Sequence, residues 1–313
     1  MKHLFIVNPA AGASDCTAAV TERVDAAFAR RTEDYEIYTT RAPMDAADKI
    51  RREADQVGAL RVYACGGDGT LNECVCGAAG LENVELTHYP TGTGNDFVKL
   101  FGDEAERFRD LDELVDGEVR HFDVIDCNGR KSLNICSIGL DARIAGDVHK
   151  YSSLPLVGGA SAYVVSTLIH LIRGIRRPIR VNCCGHSYAG DMTLICCCNG
   201  GYYGGGFHPV PEARPDDGVL DFLLIRGVSR LKALGIVSAY SKGRYADYPD
   251  VITHLRGDFL EAESRRELTV NVDGEILHSR KICFRLEPGA LRFVVPRGLR
   301  VFAGQTAAEA ALV

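Results

Sequence analysis

Hydrophobic residues follow two different spacings along the first part of the chain, and the two spacings alternate. Four short apolar runs rich in β-branched and aromatic residues have the length of buried strands: 4–7, 35–38, 61–65 and 84–89. Between them, apolar residues lie three or four positions apart, as on one face of a helix: Val20, Val24, Ala27 and Phe28, then Ile50, Ala54 and Val57. Pro43 suits the first turn of the second helix. Strands that alternate with helices through short connections predict a parallel sheet.

After Arg120 the pattern changes to a succession of strands. Residues 122–138 contain two apolar stretches around Asn128-Gly129, a strong hairpin signal. One long helix is expected at about 160–175, ending before Pro178. Further stretches have the composition of strands: 179–184, 192–198, 219–225, 268–272, 275–278, 281–286 and 291–295. The second half is therefore predicted to be mainly antiparallel β-sheet.

These patterns divide the 313 residues into two predicted lobes, since the chain is longer than one hydrophobic core usually covers. The first lobe, residues 1–122, is predicted to be an α/β domain with a Rossmann-like parallel sheet. The second lobe, residues 123–296, is predicted to be a mainly antiparallel β-sandwich. Residues 297–313 are expected to pack back on the first lobe, and the alanine-rich end, 307–313, to form a short helix or a frayed end.

Composition narrows the class of protein. Hydrophobic residues make up 46% of the chain and charged residues 25%, values of an ordinary globular protein. The net charge of −6 argues against a nucleic-acid partner, which would need a basic surface. The 12 cysteines lack the C-x-x-C spacing of zinc and redox motifs, so we interpret them as small buried residues in a reducing compartment.

Two features of the sequence bear on its location. The N-terminal apolar run is too short for the core of a signal peptide. The apolar stretch 162–175 is shorter than the ~20 residues that a membrane-spanning helix needs. A cytoplasmic protein is therefore expected, at most touching a membrane surface.

Three glycine-rich turns follow predicted strands of the first lobe, at the strand ends where parallel sheets bind ligands. The turns are NPAAG (8–12), with Ser14 as a candidate N-cap, GGDGTLNE (66–73) and PTGTGNDF (90–97). Each alone is compatible with ordinary turn chemistry, and Thr70 with Glu73 also fits a capping box. Three such turns at one sheet edge predict a phosphate site, because backbone N–H groups at turns and helix N-termini hold phosphate oxygens.

The predicted phosphate site has no Walker A lysine and contains two aspartates, Asp68 and Asp96. Beside a polyphosphate these carboxylates would be repulsive on their own. Mg²⁺ resolves the conflict, because it takes carboxylates and waters on one side and phosphate oxygens on the other. The residue types therefore indicate a magnesium–nucleotide site, with two capping aspartates as the alternative.

The motifs resemble those of the diacylglycerol kinase catalytic-domain family of lipid kinases, especially its soluble bacterial members. The resemblance rests on blocks that occur in the family's order: VNPAAG (7–12), GGDGTLNE (66–73), PTGTGNDF (90–97), GGGFHPVPEARPDDGVLD (204–221) and VDGE (272–275). GGDGT is shared with NAD kinases and phosphofructokinases, whereas the GTGNDF block points to lipid kinases. The resemblance implies a first lobe that binds nucleotide, a second lobe that binds the lipid substrate, and a fold like that of NAD kinases.

The resemblance also implies ATP and Mg²⁺ as cofactors and a lipid alcohol as substrate, with diacylglycerol, which would give phosphatidic acid, as the default. The implied nucleotide-binding residues are Asn8, Pro9, Gly12, Thr40, Gly66, Gly67, Asp68, Gly69, Thr70, Glu73, Gly92, Thr93, Gly94 and Asn95. Asp68 and Asp96 would manage the catalytic Mg²⁺. A second, structural metal site is implied at Asp216, Asp217 and Val219.

The implied catalytic residues are Asp273 as the base, Glu275 beside it, and Asp68. From the residues alone, a hairpin turn explains Asp273-Gly274 at least as well, because Asp-Gly is among the best hairpin dipeptides. The chain departs from some relatives at Ala13, where they carry a lysine, and at Lys99, where arginine is frequent. An NAD kinase and a catalytically silent lipid- or nucleotide-binding protein are the alternative functions.

A lipid substrate implies contact with a bilayer, and two neighbouring segments are candidates for it. One is the expected helix at about 160–175, with its apolar residues Leu168, Leu171 and Ile172. The other is the basic stretch with Arg173, Arg176, Arg177 and Arg180, since basic groups are attracted to anionic leaflets. A helix that covers the second sheet and a solvated basic face are the alternatives. The protein is thus expected at the inner face of the membrane, and free sheet edges could pair in a homodimer.

Overall fold

The computed structural model describes residues 1–12, 15–140, 142 and 175–302. The chain divides into two compact units: unit 1 is Met1–Phe122 with residues 289–302, and unit 2 is Asp123–Pro288. Residues 289–296 therefore group with unit 1, whereas the sequence placed them in the second lobe. The expected helix at about 160–175 and the chain end at 307–313 lie outside the described residues.

Unit 1 alternates strands and helices, as its hydrophobic spacing predicts. The strands are β1 (Lys2–Val7), β2 (Asp34–Thr39), β3 (Leu60–Gly66) and β4 (Val84–Pro90). The helices are α1 (Thr17–Phe28), α2 (Asp45–Ala54), α3 (Asp68–Ala78) and α4 (Leu111–Val115), with a 3₁₀ segment at Phe97–Arg109. The prediction for Pro43 was wrong by two residues, because α2 begins at Asp45 after Met44, whose φ of 66° is not helical.

The strands of unit 1 pair in parallel in the order β2-β1-β3-β4. Val7 lies opposite both Thr39 and Cys65, and Gly66 lies opposite Pro90. β3 and β4 are buried along their whole length, as strands covered on both faces are. This register aligns the carboxyl ends of β1, β3 and β4, and the three glycine turns follow those ends.

Two buried histidines of unit 1 hold protons less readily than free histidine. Nδ1 of His3 lies 2.9 Å from the hydroxyl of Tyr63, and Nε2 of His88 lies 3.1 Å from the carbonyl oxygen of Gly66. Burial lowers the pKa of each imidazole from 6.5 to about 4. As the pH falls through 6.5, the unfolded chain takes up these protons before the folded chain does, so stability is lost between pH 6.5 and pH 4.

We expect the free energy of unfolding to fall by up to ~2 kcal/mol per histidine between pH 7.5 and pH 5. Urea titrations at the two pH values measure the loss. His88→Gln should show a smaller loss than the wild-type protein, and His186→Gln, a change at an exposed histidine of unit 2, should show the same loss as wild type. If His88→Gln lost as much stability between the two pH values as the wild-type protein, the attribution of this loss to His88 would be contradicted.

Unit 2 consists mainly of antiparallel strands and contains one helix in its described part. The strands are β5 (Glu118–Cys127), β6 (Arg130–Ser132), β7 (Ile135–Gly139), β8 (Arg177–Cys183), β9 (His186–Cys198), β10 (Leu220–Arg226), β11 (Ile252–Gly257), β12 (Phe259–Val272) and β13 (Glu275–Val295). The helix is α5 (Arg230–Tyr240), and 3₁₀ turns occur at Tyr245–Asp247 and, in unit 1, at Arg300–Phe302. β5 begins in unit 1, and β13 ends there.

The predicted antiparallel pairing of unit 2 is confirmed. β9 pairs antiparallel with β7, β8 and β10, and β12 with β7, β8 and β13. The predicted hairpin joins β5 to β6, with φ values of 52° at Asn128 and 90° at Gly129. β13 is one continuous strand where three were predicted, and α5 and β11 were not predicted.

Side chains of β10 alternate between two apolar clusters. Leu220, Phe222 and Leu224 belong to the cluster that also contains Phe284. Leu223 and Ile225 belong to the second cluster, which lies under α5 and contains three residues of that helix: Ala233, Ile236 and Tyr240. Each fully buried side chain of this size contributes about 1.5–3 kcal/mol.

The cysteines occupy these cores. All 12 are free thiols, and nine of them are buried, which confirms that most are packing residues. Cys184 is the exposed exception, in the turn between β8 and β9. Among the described residues, no helix is both long and apolar enough to cross a bilayer.

Candidate active site

The three glycine turns of unit 1 meet at the carboxyl ends of β1, β3 and β4. The closest approach joins Gly67 and Gly92, because a Cβ atom on Gly92 would lie 2.4 Å from the Cα of Gly67. A Cβ on Gly12, whose φ is 89°, would lie 3.0 Å from the carbonyl oxygen of Thr91. Glycine is required at Gly92 because the two backbones leave no room for a side chain. The turns therefore form one compact surface.

Side chains tie the turns to one another. Nδ2 of Asn8 donates to the hydroxyl of Thr70 at 3.1 Å, and Oδ1 of Asn8 accepts from the N–H of Ala10 at 2.9 Å. Thr40 joins the same edge, since its N–H donates to the carbonyl oxygen of Val7 at 2.9 Å. Asn8 thus fixes the first turn to the second.

Helix α3 begins at the second turn without a side-chain cap. Its N-cap is Gly67 and its first residue is Asp68. Thr70 therefore lies inside the helix, and the predicted capping box of Thr70 and Glu73 is not formed. The first N–H groups of a helix have no acceptor within the helix, and the helix dipole makes this end positive. The start of α3 therefore has the chemistry of a phosphate-binding N-terminus.

Asp68 and Asp96 are brought together, and one lysine accompanies them. The backbone N–H of Asp96 donates to Oδ1 of Asp68 at 2.5 Å. A Cβ on Gly94 would lie 2.6 Å from Oδ2 of Asp68, so the third turn wraps this carboxylate. Asp96 is buried and accepts from the ammonium group of Lys99. Lys99 therefore supplies positive charge that no lysine in the three turns provides.

Asn95 presents a buried polar atom at the same surface. Its φ of 48° is left-handed, and its Nδ2 donates to the carbonyl oxygen of Gly92 at 2.6 Å. Its Oδ1 is buried and has no hydrogen-bond partner within the described part of the chain. A buried acceptor of this kind is satisfied by a ligand or a water, which fits a polar ligand at the turns.

The other implied nucleotide residues lie along the same turns. Thr93 and Gly69 are exposed, while Pro9, Glu73 and Gly94 are half-buried. The uncapped helix start, the glycine surface and the two carboxylates together fit a polyphosphate with its Mg²⁺, because they pair N–H donors with oxygen ligands for the cation.

Asp273 of unit 2 lies at the tip of the hairpin between β12 and β13. Both turn residues are left-handed, with φ of 47° at Asp273 and 98° at Gly274. Oδ2 accepts from the N–H groups of Leu133 at 2.8 Å and Asn134 at 3.2 Å, and Oδ1 accepts from the N–H of Ile135 at 2.8 Å. Asp273 is therefore a residue of the hairpin turn, and its carboxylate is held in one orientation.

The environment of Asp273 changes its acidity. Burial raises the pKa of this carboxyl group above its ordinary value of 3.8, and the N–H donors of residues 133–135 oppose the rise only in part. A raised pKa makes a carboxylate a better proton acceptor near neutral pH.

Two asparagines that the sequence analysis missed extend this arrangement. Nδ2 of Asn134 donates to the carbonyl oxygen of Tyr202, and the N–H of Gly200 donates to the carbonyl oxygen of Asn134 at 2.9 Å. Nδ2 of Asn199 donates to the carbonyl oxygens of Leu133 and Asp123. The glycine-rich stretch that starts at 200 is thus anchored to the segment that Asp273 holds. In the sequence, only Asn199, which directly precedes Gly200, gave a hint of this arrangement.

Glu275 is placed differently from Asp273. Its side chain is half-exposed, and its carboxylate lies 3.5 Å from the guanidinium of Arg130. The structure therefore gives it a surface ion pair, which typically contributes no more than ~1 kcal/mol.

The residues implied for the structural metal do not form a closed set of ligands. Asp216 is paired with Arg214 through both of its oxygens. Asp217 accepts from Arg256 at 2.6 Å and from the N–H of Val219 at 3.2 Å. Within the described ranges, no group of three or more His, Cys, Asp and Glu side chains has the geometry of a metal site.

An acidic neighbourhood around Asp217 was not predicted. Asp221 is fully buried, and its Oδ1 lies 2.6 Å from Nε2 of His254 and 3.2 Å from Nε of Arg256. Its Oδ2 has no hydrogen-bond partner among the residues that the structure describes. Oδ2 of Asp123 accepts from the N–H of Gly218 at 2.8 Å. Burial raises the pKa of Asp217, the guanidinium of Arg256 opposes the rise in part, and the charges of Asp221 and Asp123 add to it. Asp221, which the spacing of RPDDGVLD could have suggested, is therefore a further candidate ligand for the cation that the resemblance implies here.

The segment proposed for membrane contact is described only in part. Leu168, Leu171, Ile172 and Arg173 lie outside the described residues. Arg176 and Arg180 are exposed, and Arg177 is half-buried at the start of β8.

Family models match both parts of the chain. The diacylglycerol kinase catalytic domain matches residues 2–127. The YegS C-terminal NAD kinase beta sandwich-like domain matches residues 134–295.

Curated relatives and solved structures agree with these matches. A "Probable lipid kinase YegS-like" of Pseudomonas aeruginosa is 31% identical over 289 residues, which cover 90% of this chain and 92% of the relative. One from Chromohalobacter salexigens is 27% identical over 260 residues, covering 82% and 83%. The crystal structure of a diacylglycerol kinase-like protein from Bacillus anthracis str. Sterne superposes with a TM-score of 0.74 at 27% identity, covering 95% of this chain and 98% of that one.

Proposed function

The chain belongs to the family of YegS-like lipid kinases with a diacylglycerol kinase catalytic domain, and we propose that it transfers the γ-phosphate of ATP to the hydroxyl group of diacylglycerol. The product is phosphatidic acid. The proposal assigns ATP binding to unit 1, as a Rossmann-like lobe, and lipid binding to unit 2, as a β-sandwich lobe. The protein acts in the cytoplasm at the inner face of the membrane, where its substrate lies.

The observation that carries the proposal is the joint surface of the three glycine turns in unit 1. Gly67 and Gly92 approach so closely that no side chain fits between their backbones. Next to them the uncapped start of α3 offers N–H groups to the phosphates. Asn8 and Thr70 hold the first two turns in place, and Asn95 offers its buried Oδ1 to a donor on the nucleotide.

The two carboxylates of this surface would hold the metal ion. When bound, Mg²⁺ neutralises the charge of the transferring phosphate. Asp68 and Asp96 supply oxygens for it, and Lys99 adds positive charge beside Asp96.

Asp273 acts as the base in this proposal. A lipid hydroxyl is a weak nucleophile, so a carboxylate that accepts its proton and orients it favours attack on phosphorus. The three backbone N–H groups of residues 133–135 keep the carboxylate in one orientation, and burial raises its pKa toward the range of a useful base. Glu275 supports this centre from the same hairpin.

A second cation, with a structural role, is proposed at Asp217 with Asp216 and the backbone at Val219, and Asp221 as a further ligand. We expect Mg²⁺ or Ca²⁺ to raise the melting temperature, since a ligand at about 100 times its Kd stabilises by ~2.7 kcal/mol. Differential scanning calorimetry with each cation and with EDTA measures this. The shift should vanish in Asp217→Asn and persist in Asp126→Asn, a carboxylate of the β5–β6 hairpin. An equal shift in both variants would contradict the site.

The reaction is tested by following γ-³²P from ATP into a panel of lipid alcohols in mixed micelles with Mg²⁺. The panel holds diacylglycerol, phosphatidylglycerol, a sphingoid base and a polyprenol, with NAD as a control acceptor. Labelled phosphatidic acid confirms the proposal, and label in another lipid corrects the substrate alone. Label in NAD would establish the NAD kinase alternative, and ATP binding without transfer to any acceptor would favour the silent binding protein. The expected homodimer is tested separately by sedimentation.

A further inference from the structure

Helix α5 of unit 2 carries an exposed apolar stripe. Leu231 is 84% exposed, Leu234 53% and Val237 36%. Spacing of three residues places these side chains along one face of the helix. Side chains with this exposure stay in contact with water unless another surface covers the helix. An exposed apolar patch of this kind marks an interaction site.

The opposite face of α5 already anchors the helix to unit 2. Ala233, Ile236 and Tyr240 are buried in the second apolar cluster, under which β9 and β10 lie. Ser229 caps the helix by accepting from the N–H of Lys232. The stripe is therefore not needed to hold α5 in place, and its residues remain available on the surface.

Charge around the stripe is mainly positive, although Lys232 pairs with Asp250 at 2.6 Å and Arg244 with Asp247 at 3.7 Å. Between Asp221 and Asp247 the sequence contains no acidic residue, and its basic residues are Arg226, Arg230, Lys232, Lys242 and Arg244. The whole chain, by contrast, has a net charge of −6. A basic stretch with exposed leucines in an acidic protein complements a surface that is both apolar and anionic.

A basic depression lies at the start of α5. It has a volume of about 280 Å³ and is lined by Ile175, Arg176, Val228, Ser229 and Arg230. Nε of Arg176 donates to the carbonyl oxygen of Val228 at 2.8 Å, which holds this exposed arginine beside the helix start. Among the described residues, no carboxylate lies within ion-pair distance of Arg176. The depression therefore offers guanidinium groups and a helix N-terminus to an anionic headgroup.

We propose that α5 is the membrane-docking helix of this protein. Leu231, Leu234 and Val237 insert among the acyl chains of an anionic bilayer, and a lipid phosphate occupies the depression between Arg176 and Arg230. This geometry is that of an interfacial amphipathic helix, which binds by buried apolar area and by attraction to anionic lipids. Arg176 belongs to the basic stretch that the sequence analysis proposed for membrane contact. The apolar side chains that would act together with it lie on α5, which the sequence analysis did not single out.

The proposal deepens the proposed function and rests on it for the nature of the surface. Docking is measured without ATP, so a failure of docking and a failure of kinase activity are separate results. The chain contains no tryptophan, so a tryptophan placed in the stripe reports on its own surroundings.

The probe is Leu234→Trp in the full chain, titrated with vesicles of phosphatidylcholine containing phosphatidylglycerol. We expect the emission to shift to the blue and to be quenched when the lipids carry bromine on their acyl chains. Gln56→Trp, at an exposed position of unit 1, is the matched control and should show neither effect. No shift and no quenching in Leu234→Trp, or the same response in both variants, would overturn the proposal.

A second variant separates insertion from attraction. Replacing Leu231, Leu234 and Val237 together by glutamine should weaken vesicle binding about tenfold or more, because buried apolar area sets the strength of interfacial helices. The matched control replaces the exposed Ala18, Ala19 and Ala29 of unit 1 by glutamine and should bind as wild type. Raising the salt concentration should weaken binding of the wild-type protein, since anionic headgroups contribute. Undiminished binding of the α5 variant would overturn the proposal.

A second copy of the chain is the competing occupant of the stripe. In that case Leu234→Trp would emit in the blue without vesicles, and the emission would shift to the red on dilution. That result would reassign the stripe to a dimer interface and would overturn the membrane proposal.

Discussion

Replacing Gly92 by alanine is expected to abolish nearly all ATP-dependent phosphate transfer while the protein still folds. The added Cβ would lie 2.4 Å from the Cα and 2.9 Å from the nitrogen of Gly67, a contact between two backbones that no side-chain movement relieves. The second and third turns must then separate, which displaces the start of α3. A displacement of about 1 Å in a group that positions substrate can lower the rate by about a hundredfold, and we expect at least that loss here.

The measurement combines γ-³²P transfer to lipid with the Kd of Mg-ATP by calorimetry. Both should worsen, because the surface proposed to bind the phosphates is itself deformed. Gly58→Ala is the matched control, since a Cβ on Gly58 would meet nothing within 4 Å and Gly58 belongs to none of the three glycine turns. Retention of wild-type Kd and rate by Gly92→Ala would show that the glycine surface does not bind nucleotide.

Replacing Asp273 by asparagine is expected to give the second large loss, in kcat and not in ATP affinity. General acid–base residues typically contribute about 10²- to 10⁴-fold, and an amide cannot accept the hydroxyl proton. The amide also turns an N–H toward one of the backbone N–H groups of residues 133–135, so some stability is lost as well, about 1–3 kcal/mol. Urea titration measures that part separately.

The control for this variant is a carboxylate with a similar turn role. Asp126 accepts from the N–H of Gly129 at 3.1 Å in the β5–β6 hairpin and pairs with Lys131. Asp126→Asn should cost stability but leave kcat within a few-fold of wild type. A folded Asp273→Asn protein with near-normal kcat would refute the base assignment and leave Asp273 as a turn residue.

The pH dependence of kcat provides an independent readout. A base acts in its deprotonated form, so activity is lost as the pH falls through the pKa of Asp273. Because burial raises this pKa above 3.8, the acidic limb of the kcat profile should lie above the ordinary range of an aspartate. Residual activity of Asp273→Asn should lack that limb.

Much of the fold could be predicted because its signals are local. The strands of unit 1 were recognisable from apolar runs, and the β5–β6 hairpin from Asn128-Gly129, since these depend on spacing and on residues that accept positive φ. Pro43 was misplaced because Met44 takes a left-handed conformation, which the sequence does not signal. Helix α5 was overlooked although Ser229 caps it and Ala233 and Ile236 have helical spacing, because apolar residues on both faces blur that period.

The candidate site likewise has a part that the sequence could predict and a part that it could not. The glycine turns and their aspartates could be identified from the sequence, because phosphate binding by backbone requires glycine at fixed positions after a strand. Their mutual contacts could not, since Gly12, Gly67 and Gly92 are far apart along the chain. The role of Lys99 beside Asp96, and of Asn134 and Asn199 near Asp273, likewise depends on which backbone groups the fold brings close.

The sequence by itself determined which residues are candidates for phosphate binding, where most of the strands lie and which family the chain belongs to, because these follow from residue type, period and order. Only the tertiary structure decided which atoms meet. It closed Gly92 on Gly67, fixed the carboxylate of Asp273 on three N–H groups, and left Leu231, Leu234 and Val237 of α5 exposed. The physical reason is that local propensity acts over a few neighbouring residues, whereas close packing and burial depend on contacts between distant parts of the chain.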